Sequence, residues 1–282
     1  MKTIIDRLVL VTNGSPETRP SLEFGSWLAQ MLHVPVVVLA VREPGDHEHP
    51  VSALMGEFLP ILQTAGVPFQ LENLDGNTED LADKTVQQPG TIMVLGPLGR
   101  PPLRRFFLGR SFRHFMEDQL SPILYVPRSR IPIRKVLICM GGLGYAMDVF
   151  HQALAIAQPL QASLSFLHVV EPVTLDYPLA QQVETHWKDL LNTETPQGRI
   201  LRQALSESNE SGMTTEVRLS HGHIVPEILK EIESGNYDLV CMGSIHSSHS
   251  LRHLSQPNVT AEIAETAHCP MLVVRSPSGE TA

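Results

Sequence analysis

The chain has 282 residues with 21 Lys+Arg against 30 Asp+Glu, a formal charge of 21 − 30 = −9 with the 13 His counted as neutral. An apolar fraction of 42% is that of a globular protein and excludes wholesale disorder. The acidic balance argues against a non-specific nucleic-acid binder, and the length accommodates two domains at roughly 150 residues each.

In chain order, strand-like apolar runs are expected at Arg7–Thr12, Pro35–Val41, Phe69–Leu74, Thr91–Leu95 and Ile123–Val126. A helical stripe runs through Leu22, Gly25, Leu28, Ala29 and Leu32, between the first two strands. A short Pro/Arg-rich linker, Pro127–Pro132, follows the fifth strand. The pattern then repeats, with strands expected at Lys135–Cys139, Ser163–Val169, Thr215–Leu219, Asp238–Met242 and Met271–Val274. Val149, Ala153, Ile156, Ala157 and Leu160 form the corresponding helical stripe.

The repetition is visible in the residues themselves. Arg7-Leu-Val-Leu-Val-Thr-Asn-Gly-Ser15 matches Arg134-Lys-Val-Leu-Ile-Cys-Met-Gly-Gly142, an offset of 134 − 7 = 127. Thr91-Ile-Met-Val-Leu-Gly96 matches Asp238-Leu-Val-Cys-Met-Gly243, an offset of 243 − 96 = 147. Ser121-Pro-Ile-Leu-Tyr-Val126 matches Cys269-Pro-Met-Leu-Val-Val274. Three matches in the same order indicate an internal duplication, with about twenty extra residues in the second copy, read as a longer helix within 173–212. Buried strands alternating with amphipathic helices specify parallel sheets covered on both faces. The expected fold is therefore α/β, as two tandem doubly wound, Rossmann-like five-stranded sheets, with one large sheet as the alternative. The expected domains are 1–130 and 131–282.

Cys139, Cys241 and Cys269 are too few and scattered for a disulfide framework, which points to a reducing compartment. No run approaches the ~18 apolar residues of a membrane span. Asp6 and Arg7 interrupt the apolar start, so it does not read as a signal peptide. A cytoplasmic location without membrane insertion is expected.

The segment carrying most chemistry is Gly96-Pro-Leu-Gly99-Arg-Pro-Pro-Leu-Arg-Arg-Phe-Phe-Leu-Gly109-Arg110-Ser111, a strand end followed by three spaced glycines and an expected helix, Ser111–Leu120. Glycines let backbone N–H groups approach a ligand, and a helix N-terminus favours an anion. The Gly-Lys-Ser/Thr ending of a Walker loop is missing. Arg100, Arg104, Arg105 and Arg113 make the segment basic, which suits a polyphosphate; a solvated basic loop paired with surface acids is the plainer reading.

A strand followed by G-x2-G-x9-G resembles the ATP-binding signature of the universal stress protein family. The endings Leu120–Val126 and Ala267–Arg275 resemble that family's last strand, and half the chain, 282/2 = 141, is close to one of its domains. The resemblance implies strand order 3-2-1-4-5 in each copy, an intrachain pseudo-dimer paired through the last strands, and an adenine nucleotide, ATP or AMP, as ligand. Carried over residue by residue, it places nucleotide contacts at Thr12, Asn13, Val41, Gly96, Gly99, Gly109, Arg110 and Ser111. Asn13 stands where the family has an acidic residue, its amide able to bond an adenine or ribose without charge. Arg110 replaces the usual Ser/Thr and would either grip a phosphate bidentately or fill the site. The second copy departs further. Met140 replaces the acid, Gly243 is kept, the second glycine is His246, and the third position falls near Pro257-Asn258. A structural role follows for this copy. The implied role is a stress-response regulator, with an unidentified protein partner and a homodimer among its associations. A nucleotide-independent interaction or scaffold protein is the alternative, and a weak ATPase the lesser one.

The other constellations are weaker. Gly141-Gly-Leu-Gly144 resembles a dinucleotide fingerprint in part, but Met147 takes the third glycine position, so a tight turn is the simpler account. His221, His223, His246, His249 and His253 have metal-binding side chains, but the strands that carry them lie three spacings apart, roughly 14 Å at ~4.8 Å per strand. A polar loop is the simpler reading, and no metal is expected. No catalytic base, Gly-x-Ser-x-Gly or Cys/His pair is visible, so no enzyme activity is assigned.

Overall fold

A computed structural model describes residues 5–44, 50–78, 88–99, 121–141, 145–172, 187–245 and 259–276. The chain divides into two compact units, Met1–Pro132 with His268–Val273, and Ile133–Ala267 with Val274–Ala282.

In the first unit the strands are β1 (Arg7–Thr12), β2 (Val36–Arg42), β3 (Phe69–Asp75), β4 (Thr91–Leu95) and β5 (Ile123–Tyr125). Their order is β3-β2-β1-β4-β5, all parallel. Leu8, Val9, Leu10 and Val11 of the central β1 are fully buried, as a strand covered on both faces must be. The helix α1 (Arg19–Leu32) buries Leu22, Phe24, Gly25, Leu28 and Ala29, four of the five residues of the expected stripe among them. Helix α2 (Val51–Thr64) buries Met55, Phe58 and Leu62. Each fully buried aliphatic or aromatic side chain contributes about 1.5–3 kcal/mol relative to exposure. The last strand of the chain, β10 (Met271–Ser276), runs antiparallel to β5, with Met271, Leu272 and Val273 opposite Tyr125, Leu124 and Ile123. These are the two segments in which pairing through the last strands is expected from sequence.

The second unit contains β6 (Lys135–Cys139), β7 (Ser163–Val170), β8 (Thr215–His221) and β9 (Leu239–Ile245) in the order β9-β6-β7-β8, again parallel. The helix Ala146–Leu160 places Phe150 edge-on to Phe166 of β7, centroids 5.6 Å apart. The described part of the expected insertion holds a 3₁₀ turn, Trp187–Asn192, and the helix Pro196–Glu210, capped by Thr195 Oγ1, which accepts the Gly198 N–H at 3.1 Å. The expected strand limits move by a few residues; β9 runs on to Ile245, through Gly243. The helix expected at Ser111–Leu120 lies outside the described residues.

Candidate functional site

The end of β1 passes into a buried polar turn. Thr12, Asn13, Ser15 and Thr18 are all nearly inaccessible, and their polar atoms are satisfied within the protein. The Thr18 hydroxyl donates to the Ser15 carbonyl at 2.7 Å. A hydroxyl has one hydrogen to give, so across the 2.6 Å contact Thr12 donates to Thr18. Thr12 Oγ1 in turn accepts the Gly14 N–H at 3.0 Å.

Asn13 connects this turn to the glycine segment. Its Oδ1 accepts the Ser15 N–H at 3.1 Å, and its Nδ2 donates to the Leu98 carbonyl at 2.9 Å. The side chain is 2% exposed. The amide foreseen as a contact to adenine or ribose therefore commits its oxygen and one of its two N–H donors to holding the Gly96–Gly99 turn beside β1. Gly99 has φ +65°, and a Cβ there would lie 2.0 Å from Ser15 Oγ and 2.6 Å from Glu17 Oε2. Ser15 donates to that Glu17 carboxylate. A Cβ on Gly96 would stand 3.0 Å from Ser21 Oγ and 3.1 Å from the Val126 carbonyl. The glycines are thus required first by the protein's own close packing.

Register brings the remaining residues to the same edge. Thr12 lies opposite Ala40, so Asn13 comes level with Val41, which is fully buried. Two residues on, Glu43 is 7% exposed, and Thr78 Oγ1 donates to its Oε1 at 2.5 Å. The structure therefore gathers Thr12, Asn13, Val41, Gly96 and Gly99 at the carboxyl ends of β1, β2 and β4, the edge at which open α/β sheets bind ligands. Gly109, Arg110 and Ser111 lie outside the described residues. Sequence reasoning missed Ser15, Glu17, Glu43 and Thr78; a polar run Thr12–Ser15 directly after an apolar strand was the available signal for the first two.

In the second unit Met140 is 2% exposed, an apolar group where a carboxylate was the family expectation. The Met140 carbonyl is 2.7 Å from His168 Nδ1. Burial lowers the His168 pKa, and the bond to that carbonyl only partly opposes it. A histidine held neutral in the fold stabilises it fully above the unfolded value near 6.5, and this contribution is lost as pH falls through the depressed folded value. Wild type is accordingly expected to lose stability to urea between pH 7.5 and 5, and His168→Gln to lose less over the same interval. Glu207, Glu216 and Glu227, also lowered, act only below the ordinary glutamate range.

His221 stacks on Trp187 with centroids 6.0 Å apart, and its Nε2 is buried with no hydrogen-bond partner. His223 is the exposed N-cap of the helix Ile224–Gly235. His246, His249 and His253 lie outside the described residues, among which no group of three His, Cys, Asp or Glu side chains could hold a metal. Gly142 and Gly144 are likewise outside them. The three cysteines are buried and form no disulfide, and burial, reinforced by Glu231, pushes the Cys139 thiol up to about 12, far from a thiolate nucleophile. Among the described residues no helix is long and apolar enough to cross a membrane.

With this geometry in place, comparison with known proteins decides the family. Residues 132–275 match the model of the universal stress protein family. The chain belongs to that family. The universal stress protein YxiE of Bacillus subtilis (strain 168) is 27% identical over 146 residues, 50% of this chain and 98% of that protein. The universal stress protein MJ0531 of Methanocaldococcus jannaschii is 24% identical over 148 residues, 52% of this chain and 85% of that protein. The crystal structure of a universal stress protein from Archaeoglobus fulgidus DSM 4304 superimposes with a TM-score of 0.66 at 16% identity, covering 96% of this chain and 97% of that one. The family match falls on the second half, outside the glycine spacing of residues 96–109, and the α/β fold of this universal stress protein extends over both halves.

Proposed function

We propose that this universal stress protein is a stress-response regulator that binds an adenine nucleotide, ATP or AMP, in its first half, with the second half acting structurally. The observation that carries this reading is the Asn13 side chain fastening the Gly96–Gly99 turn to the end of β1 through Leu98 and Ser15. That bond fixes where the chain leaves β4. In the sequence, the segment that begins there carries Arg100, Arg104, Arg105, Gly109, Arg110 and Ser111. Backbone N–H groups of such a segment and its guanidinium groups are the donors that phosphate oxygens need. Nucleotide occupancy would then shift a conformational or oligomeric equilibrium, as any ligand does that binds one state better. Repeats at 1–130 and 131–282, a cytoplasmic location, homodimer formation and a regulatory protein partner belong to the same proposal.

Isothermal titration with ATP and AMP, and mass spectrometry of ligand released on denaturation, test it. One nucleotide per chain is the expected result; no heat at millimolar nucleotide and no co-purified ligand would overturn it. A second reading, a nucleotide-independent interaction protein, is favoured by one feature, the Glu17 carboxylate lying beside Gly99 where phosphate would be sought. It requires both assays to be negative while the chain still retains its protein partner.

A further inference from the structure

The two copies share a further short match at the ends of their second strands, where Val41-Arg-Glu-Pro44 corresponds to Val169-Val-Glu-Pro172. The turn beside it is also common to both. The Gly76 N–H donates to the Arg42 carbonyl and the Gly222 N–H to the Val170 carbonyl, each at 3.0 Å, and the two glycines have φ +151° and +155°. Within this shared frame the two glutamates are placed differently. Glu43 is 7% exposed, whereas Glu171 is exposed. Two residues past the glycine stands Thr78 in the first copy and Ile224 in the second. Thr78, itself 1% exposed, donates its hydroxyl to Glu43 Oε1 at 2.5 Å. Ile224 has no hydroxyl to give. The inward carboxylate thus belongs to the copy that keeps the glycine spacing.

Side chains alternate along a strand, so Glu43, two residues after Val41, falls on the same side of the sheet as Val41. Asn13 is level with Val41 across the register and shares that side. At Asn13, where the family has an acid, the amide oxygen is already engaged by the Ser15 N–H and one amide N–H by the Leu98 carbonyl. A nucleotide at this edge brings ribose hydroxyls that need acceptors. A carboxylate offers about four acceptor sites, and Thr78 fills one of those on Glu43. In doubly wound dinucleotide-binding sheets an acid about 20 residues beyond the first turn accepts the ribose 2′-hydroxyl, so the chemistry is suited to this kind of edge.

We infer, resting on the proposed nucleotide site, that Glu43 reads the sugar there: its carboxylate accepts the ribose 2′-hydroxyl, so the first half takes ribonucleotides and rejects 2′-deoxyribonucleotides. The acid absent from the end of β1 is in this way supplied from the end of β2. Selection follows because a carboxylate placed for a hydroxyl donor is left short of it by a deoxy sugar, and a site built to hydrogen-bond a hydroxyl discriminates strongly against an analogue without one. Thr78 is a positioning residue that acts through Glu43.

The test is isothermal titration of the full chain with AMP and with 2′-deoxy-AMP, in wild type and in Glu43→Gln. Wild type is expected to prefer AMP by about tenfold or more. Glu43→Gln is expected to bring the two affinities within about twofold of each other, by weakening AMP and leaving 2′-deoxy-AMP near its wild-type affinity. A residue that only supports the fold would weaken both nucleotides alike, so an unchanged preference in the folded variant would overturn the inference. Should Glu43→Gln not fold, Glu43→Asp keeps the charge but withdraws the oxygens by one methylene; it is expected to lose the preference as well, and an undiminished preference there counts against the inference in the same way. Equal binding of the two nucleotides by wild type defeats the inference alone, whereas binding of neither defeats the proposed function and the inference with it.

Discussion

Asn13→Ala is expected to lower the free energy of unfolding by about 2 kcal/mol, leaving the Leu98 carbonyl and the Ser15 N–H without their partner in a buried place. Net hydrogen bonds contribute about 1 kcal/mol each, but a buried group stripped of its partner costs the larger desolvation penalty. Asn13→Asp is the sharper probe because it keeps size and shape. Its carboxylate can still accept from Ser15, but its second oxygen would face the Leu98 carbonyl where an N–H now stands. Two acceptors at about 2.9 Å repel, so the Gly96–Gly99 turn is expected to detach while the rest of the unit holds. Urea unfolding measures the first effect, and protease cleavage or hydrogen exchange at residues 96–99 measures the second. If the proposed function is correct, both variants weaken nucleotide binding at least tenfold, since the Gly96–Gly99 turn is no longer fastened to the end of β1. An Asp variant as stable and protected as wild type would show that Asn13 does not hold the turn.

Gly99→Val is expected to be similarly severe, for two reasons. The residue has φ +65°, a conformation costly for a β-branched side chain. Its Cβ would also fall 2.0 Å from Ser15 Oγ and 2.6 Å from Glu17 Oε2, so the Ser15–Glu17 hydrogen bond cannot survive in place. A loss of about 2–3 kcal/mol in stability, with nucleotide affinity lost if it exists, is the expected outcome by urea unfolding and titration. Gly99→Ala keeps both the clash with Ser15 and the strained φ, so it is expected to retain most of the loss and isolates only the share of the β-branch. Gly56 serves as a control because a Cβ there meets nothing within 4 Å. Gly56→Ala sits inside helix α2 and is expected to be neutral or stabilising by up to about 1 kcal/mol. Val at Gly243 would not be the silent change its place in the degenerate copy implies, because its Cβ enters the Tyr145 ring.

Much of the fold was legible because its signals are local. Leu8–Val11 reads as a doubly covered strand from four successive apolar residues, and the helical stripe through Leu22, Leu28 and Ala29 reads from its spacing alone. The duplication was legible because the two copies preserve strand ends, Gly96 with Gly243 and Thr12-Asn13-Gly14 with Cys139-Met140-Gly141. Strand limits were less so: β8 runs two residues past its apolar run, through His221, because backbone pairing with β7 continues to Val170–His221 irrespective of polarity, and β9 runs three past its own, to Ile245.

The candidate site divides along the same line. Sequence by itself placed Thr12, Asn13, Val41, Gly96 and Gly99 at strand ends, excluded a Walker loop, and separated a copy that keeps the glycine spacing from one that loses it. It could not say what each side chain faces. That Asn13 turns inward to Leu98, that Glu17 lies beside Gly99, that Glu43 is buried against Thr78, and that Tyr145 rather than open space covers Gly243 are contacts of long or irregular separation. Spacing determines which strand end a residue occupies. Only the packing of neighbouring turns against that end decides whether its polar atoms are spent within the protein or offered to a ligand, because each donor and acceptor is committed by whatever stands within about 3 Å of it.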